Sequence, residues 1–167
     1  EVGSRLCLDD DRIAERKLDA NVSLKLTHMG LDVDEGVARS IATEVVAHAA
    51  RLDSFVRIDM EGSPYTQKTL DMLRDLHAVP GNAGHVGAVI QSYLRRSESD
   101  VRALCDQKIR IRLCKGAYKE SSDIAFQDKT EVDDNFVRLM KIMLKSGTYH
   151  GIATHDPKMI EATIAYA

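Results

Sequence analysis

Five short apolar runs alternate along this chain with longer segments of helical periodicity. The runs lie within VSLKLTHMG (22–30), FVRIDMEGS (55–63), VGAVIQSYL (86–94), IRIRLCKGAY (109–118) and HGIATHD (150–156). Strands that alternate with helices of this length form parallel βαβ units. The sequence therefore predicts an α/β protein with a parallel sheet. The helices are expected over about 34–50, 63–77, 97–105 and 132–145, and from Asp156-Pro157 onward.

Each apolar run ends in a cluster of polar side chains. In parallel α/β folds, sites are built at the carboxyl ends of the strands. A TIM-like (βα)8 barrel is favoured over an open sheet, because polar residues follow every strand instead of gathering at one switch point. The chain has no G-x-G-x-x-G, and its K-G-A-Y segment lacks P-loop spacing. The residues at the strand ends are Lys25, Asp59, Gln91, Arg112, Lys115 and His155.

The length fits only part of such a barrel. A complete eight-unit barrel needs roughly 250 residues, whereas this chain has 167 and shows about five βα units. It begins with Glu1 in place of Met and stops inside the helical pattern 161–167. The sequence thus predicts that 1–167 is a partial barrel domain without its last strands and final helix. A non-catalytic fragment with two open sheet edges is an alternative interpretation.

Composition is that of an ordinary globular domain, with 44% hydrophobic residues, 29% charged residues and a net charge of −3. This balance does not favour nucleic acid or an anionic membrane as the main partner. Three cysteines without a C-x-x-C motif indicate structural thiols in a reducing compartment. The histidines lack metal-ligand spacing, so no metal is expected. Residues 9–18 are interpreted as a helix end or a disturbed connection with solvated side chains.

Strand alternation gives the direction of two cations. Lys25 lies on the opposite face from Leu24 and Leu26, and Arg112 alternates with apolar neighbours, so both are expected to point into the barrel. Lys25 and Asp59 follow neighbouring strands and are predicted to form a buried ion pair. Gln91 ends an otherwise apolar strand, where its amide requires a hydrogen-bond partner.

Six motifs occur in a fixed order between residues 20 and 167. They read K-L-T, R-I-D-M-E, V-I-Q-x-Y-L, R-L-x-K-G-A-Y, F-x-x-K-x-x-V-D and A-T-H-D. Together they resemble the proline dehydrogenase family of flavoenzymes. The resemblance implies a distorted (βα)8 barrel that binds FAD and oxidises L-proline to pyrroline-5-carboxylate by hydride transfer, the first step of proline catabolism.

The resemblance also implies individual roles. Arg112 would stabilise the charge that develops on the reduced flavin, Asp59 would orient the substrate as a catalytic residue, and Lys25 would contact it. The small-residue turn after Lys115 would let the backbone approach a ligand closely. The residues implied to bind FAD are Met60, Gln91, Lys115, Gly116, Ala117, Thr154 and His155.

Further implications concern partners and alternatives. The family resemblance suggests a quinone acceptor and a cytoplasmic location, with peripheral association at the inner membrane left open (mitochondrial in a eukaryote). The paired arginines that hold the proline carboxylate in the family have no counterpart in a suitable place after residue 96. A lysine-dependent aldolase-type barrel, with a Schiff base on Lys25 or Lys115, is a second interpretation. The oligomeric state is not predicted.

Overall fold

The computed structural model describes residues 2–167. Its strands are β1 Val22–Leu24, β2 Val56–Ile58, β3 Val86–Gln91, β4 Arg110–Cys114 and β5 Gly151–Ile152. Its helices are α1 Val2–Glu15, α2 Glu35–Arg51, α3 Ser63–Ala78, α4 Ser97–Asp106, α5 Lys129–Lys145 and α6 Pro157–Tyr166, with a short 3₁₀ helix at Thr27–Met29.

The strands form one sheet in chain order, β1-β2-β3-β4-β5. The pairs β1–β2, β2–β3 and β4–β5 are parallel. A helix follows each strand, as the right-handed βαβ connection requires. The predicted parallel α/β architecture is confirmed.

The described chain divides into two compact units. The first runs up to Glu61 and includes Tyr65–Ala88, and the second comprises Gly62–Pro64 and Val89–Ala167. β3 contributes residues to both units. The assignment of 1–167 to one partial barrel domain stays a prediction.

Helix α2 shows how the first unit is specified locally. Asp34 caps it, because its carboxylate accepts hydrogen bonds from the N–H groups of Gly36 at 2.7 Å and Val37 at 3.2 Å. Val37 is 50% exposed, so the apolar face of the helix begins one residue later. The buried residues of this face are Ala38, Ala42, Val45, Val46 and Ala49.

The expectation of a solvated surface over 9–18 is wrong at Asp10. Helix α1 runs through to Glu15, and Asp10 is fully buried on its inner face. The Asp10 carboxylate accepts a hydrogen bond from Ser54 Oγ at 2.9 Å. Burial raises the pKa of Asp10 despite that bond. The sequence does not reveal which of several consecutive aspartates is buried, because only the helical register separates the buried one from the solvated ones.

The strands are shorter than their apolar runs. β1 ends at Leu24, and the chain turns into the 3₁₀ helix, which closes at Gly30 with φ of 97°. Helix α5 begins at Lys129, three residues before the predicted start at 132, because Asp128 caps it by accepting a hydrogen bond from Thr130 N–H at 2.7 Å. Capping chemistry, not the apolar period, sets this boundary.

In the second unit, His150 ties the connection before β5 to β4. Its Nδ1 accepts a hydrogen bond from Ile111 N–H at 3.0 Å, so the neutral ring carries its proton on Nε2 and donates it to Ser146 Oγ at 2.9 Å. Burial, and then the charge of Arg110, lower the pKa of His150 to about 4. The fold therefore holds this histidine neutral.

We expect His150 to make the fold acid-sensitive. Between about pH 6.5 and the folded pKa of about 4, the unfolded chain binds a proton that the folded chain does not, so stability should fall as the pH is lowered through this window. His150→Asn keeps an acceptor for Ile111 N–H without titrating and should flatten the decline. Thermal unfolding across this pH range measures it, with His28→Asn at an exposed histidine as the control. Equal slopes in all three proteins would contradict this role.

Candidate functional site

Lys25 and Asp59 lie directly beyond the ends of β1 and β2. The ladder pairs Leu24 with Ile58, and Asp59 N–H donates to Leu24 O at 2.8 Å, so the two residues are lateral neighbours. Both are half-buried and line a cavity of about 250 Å³ together with Ser23. A cation and a carboxylate in one small cavity can bind the two charged ends of an amino acid.

The predicted ion pair between Lys25 and Asp59 is wrong. No contact within 4 Å joins the Lys25 ammonium to a carboxylate in the described residues 2–167. They share a cavity without bonding directly.

Met60 continues the alternation of β2. It is buried, as are Val56 and Ile58, which lie on the same face of the strand. Its thioether is therefore part of the core of the first unit. The predicted contact with a flavin stays a prediction, and its backbone is the part best suited to it.

In the second unit, Gln91 and Arg112 stand on consecutive strands. Gln91 is the last residue of β3 and is 3% exposed. Arg112 is half-buried and alternates with the fully buried Ile111 and Leu113. Its register partner on β5 is Gly151, where an added Cβ would lie 3.6 Å from Arg112 Cγ. Glycine at this position therefore leaves space beside the base of the Arg112 side chain.

Lys115 is the centre of an ion-pair network. Its Nζ contacts the carboxylates of Asp133 on α5 and Asp156 at the start of α6, the latter at 2.7 Å. Lys129 lies 3.3 Å from Asp133 and 3.5 Å from Asp156. Burial alone would lower the pKa of Lys115, but its hydrogen bonds to the two aspartates outweigh it and raise the pKa. The ammonium therefore fixes the end of β4 to two helices.

Gly116 follows in a conformation that only glycine adopts readily, with φ of 113°. A Cβ there would lie 2.2 Å from Cδ1 of the buried Tyr93 ring. The sequence suggested that this glycine admits a ligand, whereas the structure shows that the Tyr93 ring already takes the space. Burial raises the pKa of Tyr93 to about 12, so its hydroxyl stays protonated. Gly116 and Ala117 are exposed.

Thr154 and His155 connect β5 to α6. Thr154 Oγ1 accepts a hydrogen bond from Asp156 N–H at 3.1 Å, and His155 is exposed. Asp156 caps α6 by accepting from Lys158 N–H at 3.0 Å. The hydrogen bond from Lys115, followed by that from Lys158, lowers the pKa of Asp156 to about 2. The N-terminus of α6 thus already carries an anion, the Asp156 carboxylate, beside the two residues implied to bind FAD.

Neither a metal-ligating cluster nor a membrane-spanning helix occurs in the described part of the chain. Residues 2–167 contain no cluster of three or more histidine, cysteine or acidic side chains able to hold a metal ion. In the same range, no helix is long and apolar enough to cross a membrane.

A family model described as proline dehydrogenase matches residues 7–167. The chain belongs to the proline dehydrogenase family. Proline dehydrogenase 2 of Bacillus subtilis strain 168 is 41% identical over 151 residues, which are 90% of this chain and 49% of that protein. Proline dehydrogenase of Deinococcus radiodurans is 40% identical over 143 residues, or 84% of this chain and 46% of the relative. The chain spans about half the length of the curated relatives it matches.

Solved structures agree on the fold. The crystal structure of proline utilization A (PutA) from Bdellovibrio bacteriovorus inactivated by N-propargylglycine has a TM-score of 0.86 at 23% identity, and covers 99% of this chain and 22% of that one. PutA from Bradyrhizobium japonicum, mutant D779W, gives a TM-score of 0.84 at 19% identity, covering 99% and 21%. At these identities the likeness establishes the barrel fold alone. The cofactor follows from the family instead, because the proline dehydrogenase family as a whole uses a flavin.

Sequence reasoning missed several residues that the structure brings into this region. Asp133 and Asp156 hold Lys115, and the Tyr93 ring fills the space that a side chain at 116 would need. All three lie inside the six motifs, at V-D, A-T-H-D and Q-x-Y-L. The motifs therefore contained these residues, but the position of a residue at a strand end does not indicate which side chain it will contact.

Gly116→Ala should destabilise the protein through the Tyr93 ring. Gly84→Ala is the matched control, because Gly84 also has a positive φ, of 90°, but no atom within 4 Å of an added Cβ. The control should lose about 1–2 kcal/mol of unfolding free energy from backbone strain. Gly116→Ala should lose about 2 kcal/mol more from overpacking. Denaturant unfolding measures both, and equal losses would show that Tyr93 yields freely.

Proposed function

We propose that the protein is an FAD-dependent proline dehydrogenase that oxidises L-proline to pyrroline-5-carboxylate. The observation that carries the proposal is the placement of three groups on consecutive strands in a chain of this family: Gln91 ends β3, Arg112 lies within β4 two residues before its end, and Thr154-His155 follow β5. Sites in barrels are built at that end.

The donor set of the second unit suits a flavin ring. Gln91 is a buried amide with both donor and acceptor groups, and Arg112 is a half-buried cation that keeps its charge when desolvated. A bound FAD would supply the two-electron acceptor for the hydride from proline. Arg112 would stabilise negative charge on the reduced ring from a fixed position, which is worth far more in a site shielded from water than in solvent.

The phosphate end of the cofactor would be met by a different set. We assign to it the exposed backbone of Gly116–Ala117, the Thr154 hydroxyl and the His155 ring. Lys115 and Lys129 carry charges equal and opposite to those of Asp133 and Asp156. This balance lets an anionic group approach without meeting uncompensated carboxylates.

The substrate would use the cavity of the first unit. Lys25 supplies ammonium donors for the proline carboxylate, and Asp59 supplies an acceptor that orients the amine for loss of its proton and hydride. No carboxylate of the described residues pairs with the Lys25 ammonium, which supports this role, because Lys25 need not break such a bond before it binds proline.

Aldolase chemistry fits Lys115 poorly. A Schiff-base lysine must reach its neutral form, which requires a lowered pKa, whereas Asp133 and Asp156 raise the pKa of Lys115. The quinone acceptor, the location and the oligomeric state stay predictions of the resemblance.

The proposal is tested with the purified full-length protein. We expect it to be yellow, to release FAD on denaturation, and to lose its oxidised flavin absorbance when L-proline is added without oxygen. D-proline is the matched control and should reduce the flavin far more slowly. A protein that takes up no FAD during refolding, or a flavin that L-proline leaves oxidised, would overturn the proposal.

Arg112→Met should slow flavin reduction by about 100-fold at saturating proline, since one charge-stabilising contact is typically worth about 3 kcal/mol. Arg112→Lys should recover part of the rate. Arg110→Met is the control, because Arg110 lies on the same face of β4 but at its beginning, near the Tyr149 ring. Stopped-flow reduction measures the rates. An unchanged rate in folded, flavin-loaded Arg112→Met would show that Arg112 has only a structural role.

A further inference from the structure

Two motif residues have no role in the site as described so far. Thr27 ends K-L-T and Glu61 ends R-I-D-M-E. Glu61 is 7% exposed, and both of its carboxylate oxygens bond to Thr27: one accepts from the hydroxyl at 2.5 Å and the other from the backbone N–H at 3.2 Å. A buried carboxylate is costly unless it is hydrogen-bonded, so Glu61 depends on this contact for a stable position in the fold.

The contact begins where the sheet ladder stops. The last ladder bond between these strands runs from Asp59 N–H to Leu24 O. Thr27 lies two residues beyond Lys25, and Glu61 two residues beyond Asp59. The Glu61–Thr27 contact is therefore the next cross-connection after the two proposed substrate residues.

The backbone of this segment needs such a tie. Thr27 is the first residue of the 3₁₀ helix, and the preceding Leu26 provides no side-chain cap. The N–H groups at a helix start have no partner within the helix, and Glu61 satisfies that of Thr27. Without Glu61, the turn after Lys25 would keep its hydrogen bonds to Leu26 O and the burial of Leu26 and Met29, but the first N–H of the 3₁₀ helix would lose its partner.

We propose that Glu61 is a positioning residue for substrate binding: by holding Thr27 through both carboxylate oxygens, it sets the direction in which Lys25 leaves β1. This inference rests on the proposed function, because it assumes that Lys25 contacts proline. A residue that acts through Lys25 alone should affect the affinity for proline and leave the rate of flavin reduction at saturating proline nearly unchanged.

The variants separate positioning from simple stability. Thr27→Val removes the hydroxyl and keeps the shape, Thr27→Ser keeps the hydroxyl, and Glu61→Gln replaces one acceptor oxygen by a donor. In the full-length protein we expect Thr27→Val and Glu61→Gln each to raise the KM for proline about tenfold, the change given by loss of one charge-assisted hydrogen bond. Thr27→Ser should restore the wild-type value. The double variant Glu61→Gln/Thr27→Val should be no worse than the worse single variant.

A second measurement needs no proline. Amide hydrogen exchange should be faster over residues 25–30 in Thr27→Val and Glu61→Gln, and normal in Thr27→Ser. Glu44→Gln, at an exposed carboxylate on α2, is the control and should change neither exchange nor KM.

The outcomes are distinct. Faster exchange with a raised KM supports the inference. A lower unfolding midpoint with unchanged KM would overturn it, because Glu61 would then only stabilise the fold, and unchanged exchange would show that the contact does not order the turn. If L-proline does not reduce the wild-type flavin, the proposed function fails and the substrate role of Glu61 fails with it, while the exchange result still decides whether the contact orders the segment.

Discussion

Parallel pairing of strands in chain order is the constraint on which the rest of this structure depends. Each strand runs in the same direction as its neighbour. The carboxyl ends of β1 and β2 therefore place Lys25 beside Asp59, and those of β3 and β4 place Gln91 beside the segment after Cys114. The alternation of side chains then decides which residues enter the core. The set of side chains at the candidate site is thus a consequence of the parallel strand pairing.

The residues beyond the strands need fixing of their own, since the ladder does not extend to them. Carboxylates do this in both units. Glu61 holds Thr27 in the first unit, and Asp133 and Asp156 hold Lys115 in the second. In each unit, these contacts order the turn that follows the strand. The proposed ligand contacts lie in or beside these turns.

Periodicity and capping residues were sufficient to predict the order of the five strands and of helices α2 to α6, as at Asp34 and Asp156, because these signals are local. The burial of Asp10 and the absence of an ion pair between Lys25 and Asp59 could not be predicted in this way. Both depend on how the elements pack in space, which a sequence pattern does not encode. The requirement for glycine at 116 comes from its positive φ and from Tyr93, which is distant in sequence and adjacent in space.

The central claim is that the carboxyl ends of β3, β4 and β5 hold the flavin. A crystal structure of the full-length protein with bound FAD tests it most directly. The account predicts the flavin ring within hydrogen-bond distance of the Gln91 amide and the Arg112 guanidinium, and the phosphates near Thr154 and His155. A flavin bound elsewhere, or one that contacts neither Gln91 nor Arg112, would contradict it.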